Sequence, residues 1–194
     1  MTDDSRFPQL VSVACHDLRT PLATVYGFAR TLAQTDLREP TSRYVEMIEA
    51  ASKQLAELLD ELALAARIEA GRFEPRVEET DSLELVRAAA AELDENTVLV
   101  TGEGAPVLVE RDATRRAVRQ LARAARRHGG HEAVDVAVRG AALEVSPVTE
   151  TAAVVVTGAE VRELGAAAAV AVLQAQGASV EVEGGRLRIR LPAA

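Results

Sequence analysis

Tryptophan is absent from the 194 residues, aromatic side chains make up only 3% of them, and Cys15 is the single cysteine. One cysteine cannot form an internal disulfide, and the three histidines provide no zinc-ligand spacing beside it, because His128 and His131 stand alone in a glycine-flanked turn. Disulfide-stapled and metal-ordered scaffolds are thereby excluded. No apolar run reaches the roughly 18 residues that span a bilayer, and Met1 to Leu10 lacks the basic-then-apolar order of a secretory signal. The expectation is a cytoplasmic protein with no membrane segment. Basic residues are outnumbered, 22 Lys+Arg against 30 Asp+Glu, for a formal net charge of -8. Such a chain lacks the cationic field a wholesale nucleic-acid binder needs. Lysine itself is nearly missing, since Lys53 is the only one and the other basic side chains are arginines.

With so few aromatics the core must be built from Leu, Val, Ile and Ala, which favours helices packed closely on helices or on a sheet. The length suits one medium domain or two small ones. Residues 7 to 36 place Val11, Leu18, Leu22, Val25, Ala29 and Leu32 on a seam that from Leu18 onward alternates gaps of 4 and 3, the heptad pattern of a long helix. After a polar connection from Leu37 to Pro40, Thr41 or Ser42 can cap a second helix. There Tyr44, Ile48, Ala51, Leu55, Leu58, Leu62 and Ala65 repeat the alternation until Gly71 ends it. A two-helix hairpin cannot bury two seams by itself. Either a second copy covers them, giving a four-helix bundle, or the C-terminal half does; the length and regularity of the pattern favour the second copy.

Phe73 to Thr80 turns polar with a proline and reads as a linker between residues 1–75 and 76–194. Beyond it Asp81 or Ser82 caps a helix to about Asp94, and Val98–Val100 and Val107–Val109 read as short strands around a Gly-rich turn. Arg111 to Arg127 is helical. Ala133–Arg139, Leu143–Ser146 and Ala153–Thr157 are strand-like, Val161–Gln176 is an Ala-rich helix, and Val180–Arg190 closes as a hairpin. The predicted fold is therefore a helical hairpin followed by a small α/β sandwich with helices on one face of a mixed sheet.

His16 lies two residues before Leu18, about 200° around the helix from the start of the seam, and so points outward. A solvent-facing imidazole near neutral pH carries a nucleophilic ring nitrogen that can take a phosphoryl group as well as a proton. Asp17 beside it can orient the ring or accept its proton, and Thr20 stands one turn further on the same face. Cys15 reads as a helix-packing residue. The stretch His16-Asp17-Leu18-Arg19-Thr20-Pro21-Leu22 resembles the H-E/D-L-R-T-P-L phosphoacceptor motif of the dimerisation and histidine-phosphotransfer domain of two-component sensor histidine kinases, and Ala66-Arg67-Ile68-Glu69-Ala70-Gly71-Arg72 resembles the end of that domain's second helix. The resemblance implies that His16 is the phosphorylated residue, Asp17 the assisting acid, and Thr20 the residue that positions a water in dephosphorylation.

In that family a Bergerat-type ATP-binding domain follows the bundle, and the element order after residue 80 is similar to it. Its nucleotide chemistry rests on an NLxxNA helix whose second Asn helps hold magnesium, on a DxGxG motif, and on Gly pairs near the phosphates. Here Gln120 and Ala124 fall at the two Asn positions, and Ser146-Pro147-Val148-Thr149-Glu150 stands where DxGxG belongs. Only Leu164-Gly165 remains of the second Gly cluster, and the interval before it is short for a lid. Gly177 to Pro192 does resemble the family's last hairpin. The expectation is a degenerate domain with ATP and magnesium binding lost and no metal or cofactor of its own. That pattern resembles the dimeric histidine phosphotransferases of bacterial phosphorelays.

The helix instead carries a cationic stripe, Arg115, Arg119, Arg123 and Arg126 or Arg127. It reads either as a dock for an acidic receiver domain, with Arg19 as a further contact, or as a solvated face. The favoured function is phosphotransfer between response-regulator receiver domains through His16, the receivers supplying magnesium to a homodimer that binds neither nucleic acid nor membrane. The alternatives are a pseudokinase scaffold, a receiver phosphatase acting through Thr20, and a kinase with an unusual pocket. The chain begins almost at the bundle, which fits a free-standing relay component or a fragment.

Overall fold

The computed structural model describes residues 6–34, 38–94 and 96–194. The chain forms two compact units, residues 1–72 and 73–194.

In the first unit α1 (Arg6–Ala33) and α2 (Thr41–Glu69) form the helical hairpin. Neither Thr41 nor Ser42 caps α2. Pro40 occupies that position without a side-chain bond, and the carbonyl of Arg38 accepts from the amides of Thr41 and Ser42 at 2.9 and 3.4 Å, so a backbone turn satisfies donors that a hydroxyl would otherwise meet. Leu37, at the start of the connection, lies outside the described residues. Gly71 ends the helix with φ +62, a conformation that costs a residue without Cβ nothing.

Small side chains sit between the helices: Cys15 and Ala29 on α1, and Val45, Ser52 and Ala66 on α2, are buried. Much of the heptad seam is not. Leu18 is 55% exposed and Leu55 53%, and Val25, Leu32, Tyr44, Ile48 and Leu58 are exposed with them. Among the described residues no helix is long and apolar enough to cross a membrane.

The second unit opens with β1 (Glu78–Asp81), so the expected linker gives its last residues to a strand. Asp81 then caps α3 (Ser82–Ala90), its Oδ1 accepting from the amides of Leu83 and Glu84, both at 2.9 Å. The helix stops short of the expected Asp94. Next come β2 (Val98–Gly104), β3 (Pro106–Val109), α4 (Arg111–Gly129), β4 (Val134–Gly140) and β5 (Ala142–Ser146). The chain closes with α5 (Glu150–Val156), α6 (Leu164–Ala175), β6 (Ser179–Glu183) and β7 (Arg186–Arg190).

A five-stranded sheet runs in the order β2-β4-β5-β7-β6, parallel at β2–β4 and antiparallel elsewhere. Val134, Val136, Val138, Leu143, Val145, Leu187 and Ile189 are buried among the helices, whereas Asp135, Arg139 and Arg190 of the same strands are exposed, the alternation of a sheet covered on one face. The β6–β7 hairpin turns through Gly184 and Gly185 at φ +56 and +73, as a two-residue type I′ loop requires.

Two expectations fail. The strands β2 and β3 do not pair with each other: β3 pairs antiparallel with β1 in a separate two-stranded sheet, and its other edge takes the C-terminal tail through Leu108 N to Pro192 O at 2.9 Å. The segment 153–157 is not a strand but the body of α5. Thr149 caps it by accepting from the Ala152 amide at 3.3 Å, and the buried residues Ala152, Val155 and Val156 are spaced 3 and 4 apart, so burial against α4 overrides the β-propensity of the valine run.

The parallel β2–β4 contact leaves no room beside Gly102, whose φ is +105 and where an added Cβ would stand 2.0 Å from the Val138 carbonyl oxygen. Gly102→Ala is expected to destabilise the α/β unit by about 2 kcal/mol or more. Urea unfolding followed by far-ultraviolet circular dichroism checks this, and an unchanged midpoint would contradict the pairing.

Candidate functional site

The turn of α1 puts Cys15 inside, 1% exposed, and His16 outside. One turn further along, Arg19 and Thr20 share the outer surface with Ala23 and Thr24, and these residues with His16 line an open depression on the helix. Arg19 Nη2 donates to Asp60 Oδ1 on α2 at 2.7 Å. Thr24 Oγ1 donates back to the Thr20 carbonyl at 3.2 Å, a local bond that tightens this turn just after Pro21. The Asp17 backbone continues α1, and its side chain lies outside the described residues. The depression therefore gathers an imidazole, a guanidinium and a hydroxyl on one exposed face, the groups that accept, bind and orient a phosphoryl group.

On α4 the two residues singled out as nucleotide-position substitutes face inward. Gln120 is 7% exposed and Ala124 is fully buried. Gly165 of α6 lies directly against Gln120: a Cβ there would be 2.9 Å from Cδ and 3.1 Å from both the amide nitrogen and the oxygen. Ala166, Ala168 and Ala169 of α6 are buried with it, as are Ala117 and Leu121 of α4. Both ends of the helix pair are tied. His128 Nε2 lies 2.9 Å from Glu163 Oε2, both side chains mostly buried, while at the other end Gln176 Oε1 accepts from the Glu110 amide at 2.6 Å. Thr151 of α5 donates to the His128 carbonyl at 3.3 Å. His128 is thus a structural partner rather than an isolated turn residue. Of the segment before α5, Val148 is buried and Thr149 is the helix cap.

The expected arginine stripe divides into two rows. Glu92, just beyond α3, pairs with Arg115 and, at 2.8 Å, with Arg119, and Asp94 lies 3.7 Å from Arg126. Arg116, Arg123 and Arg127 form the other row, and no ion pair to them is present among the described residues. Sequence reasoning missed Asp60, Glu92, Glu163 and Gln176. Only the acidic end of α3 carried a signal, since Glu92 and Asp94 flank the expected helix terminus; the others are 35 or more positions from the group they bind.

Residues 9–71 match the His Kinase A (phospho-acceptor) domain. The chain is 35% identical over 85 residues to the sensor histidine kinase TrcS of Mycobacterium tuberculosis, covering 43% of this chain and 16% of that protein. It is 34% identical over 113 residues to the histidine protein kinase DivJ of Caulobacter vibrioides, covering 55% and 19%. It thus spans less than a fifth of either relative. Among solved structures, full-length ShkA in complex with AMPPNP aligns with TM-score 0.70 and 22% identity over 96% of this chain and 46% of that one. The ATP binding domain of PrrB from Mycobacterium tuberculosis aligns with TM-score 0.50 and 22% identity over 61% of this chain and 98% of that one. Residues 9–71 thus match a His Kinase A phospho-acceptor domain, and the α/β unit that follows has the fold of a histidine kinase ATP-binding domain.

Proposed function

We propose that this chain is a histidine phosphotransferase of a two-component phosphorelay, moving phosphoryl groups between response-regulator receiver domains through His16 without binding ATP. The observation that carries this reading is the α4–α6 contact, in which Gln120 fills the space above Gly165 and Ala124 is sealed. A magnesium nucleotide needs oxygen ligands on that face and room between the helices. The buried face of α4 offers a carboxamide and a hydroxyl, Gln120 and Thr114, and no carboxylate; Glu163 at the start of α6 is engaged by His128, and the space beside Gly165 is filled by Gln120. The residues present do not fit the group.

Phosphotransfer needs less of this chain. A neutral ring nitrogen of His16 attacks the phosphorus of a receiver's aspartyl phosphate, a P–N bond forms, the P–O bond breaks, and the receiver recovers its carboxylate. The ring then releases its other N–H proton, and the reverse step passes the group to a second receiver. Exposure of His16 supports this, because a receiver's active site must reach it. The receivers bring the magnesium their own chemistry uses. The exposed seam residues Leu18, Val25, Leu32, Ile48 and Leu55 support a homodimer, since a stripe of that size at helical spacing is stable in water only when covered.

Three outcomes test the reading. Receivers radiolabelled on aspartate and mixed briefly with the protein are expected to label the wild type and not His16→Ala; if no receiver labels a folded wild type, a non-catalytic scaffold replaces phosphotransfer. Calorimetry with Mg-ATP is expected to give no saturable heat, and micromolar binding would restore a kinase. Sedimentation equilibrium is expected to give a dimer for the wild type and a monomer for Leu55→Arg; a wild-type monomer would remove the bundle.

A further inference from the structure

Asp60 of α2 stands 41 positions from Arg19, and the bond between them crosses the hairpin at 2.7 Å. Both side chains are exposed, Arg19 at 47% and Asp60 at 68%. Such a pair adds little to stability, because water and salt screen it and the long arginine side chain loses rotamer freedom to make it. What the pair does supply is orientation. Arg19 is three residues after His16 and borders the same depression, so the two side chains leave the helix about one turn apart. Untethered at that exposure, the guanidinium would sample many rotamers. The bond to Asp60 holds it on the α2 side of the depression through one nitrogen, and among the described residues no further bond takes its other N–H donors.

We propose that Asp60 is a positioning residue for phosphoryl transfer at His16, acting through Arg19. The inference rests on His16 being the phosphoacceptor. A phosphoryl group arriving at the ring brings about two negative charges, and a guanidinium already held beside it offers planar donors that need no search. Without the carboxylate the guanidinium is still present but no longer placed.

The test uses phosphoramidate, a small donor that needs no receiver. A ring nitrogen of His16 bonds to phosphorus as the donor's P–N bond breaks, ammonia leaves, and the ring releases its other N–H proton to solvent. The rate of labelling is read by intact-mass spectrometry on the full chain, with His16→Ala as background and a melting curve for each variant. Arg19→Ala is expected to slow labelling about tenfold, and Asp60→Asn, which frees the guanidinium without removing it, about threefold, both with unchanged melting. Asp60→Glu should recover much of the rate, and the double variant should be no slower than Arg19→Ala alone. Wild-type labelling in Asp60→Asn, or additive losses in the double variant, overturns the proposal. Absence of His16 labelling in the wild type overturns it together with the phosphoacceptor reading. Labelling by phosphoramidate but by no receiver sinks only the relay, and the variants still decide the role of Asp60.

Discussion

The absent side chain of Gly165 sets how closely α6 can lie on α4, and much of the α/β unit depends on that contact. Gln120 rests its carboxamide against the bare Cα, and alanines on both helices continue the close approach. Because α4 also packs against α3, α5 and the sheet, its position fixes theirs. The ties at either end, His128 with Glu163 and Gln176 with the Glu110 amide, hold the helix pair in register. Any side chain at position 165 would have to displace Gln120 from a site where a buried amide already has neighbours, which costs both packing and polar satisfaction.

Charge is handled locally in an acidic chain whose cations are nearly all arginine. Glu92 gathers Arg115 and Arg119 into one cluster just beyond the end of α3, adding a polar tie to two helices that already pack together. On the sheet's outer face Glu144 meets Arg188 at 3.2 Å, and Arg188 meets Glu183 at 2.9 Å, so part of the uncovered side of the sheet carries a paired ladder. Arg19 and Asp60 follow the same habit beside the candidate phosphoacceptor. Planar guanidinium groups suit this arrangement because each can serve more than one carboxylate at once.

Much was legible in the sequence because periodicity and turn chemistry are local. The 4,3 alternation marks both arms of the hairpin, the Gly184-Gly185 pair marks the last turn, and the motif at His16 marks the candidate site. The failures share one cause. Residues 153–157 carry a strand-like valine run, yet they pack on α4 as a helix, a choice made by a surface that ends at Gly129, well upstream. The strands β2 and β3 are separated by one residue and still enter different sheets, because β4 and β1 are their partners.

By itself the sequence determined the long amphipathic helices, the outward placement of His16, the small-residue character of α4 and α6, and the closing hairpin, since each follows from side-chain spacing along a regular backbone. Tertiary structure alone decided which strands pair, which arginines are neutralised, that Gln120 fills the space above Gly165, and that Asp60 stands beside Arg19. Those outcomes depend on distances between residues far apart in the chain. No local pattern encodes them, because the same side chains at the same spacing would satisfy themselves differently on another partner.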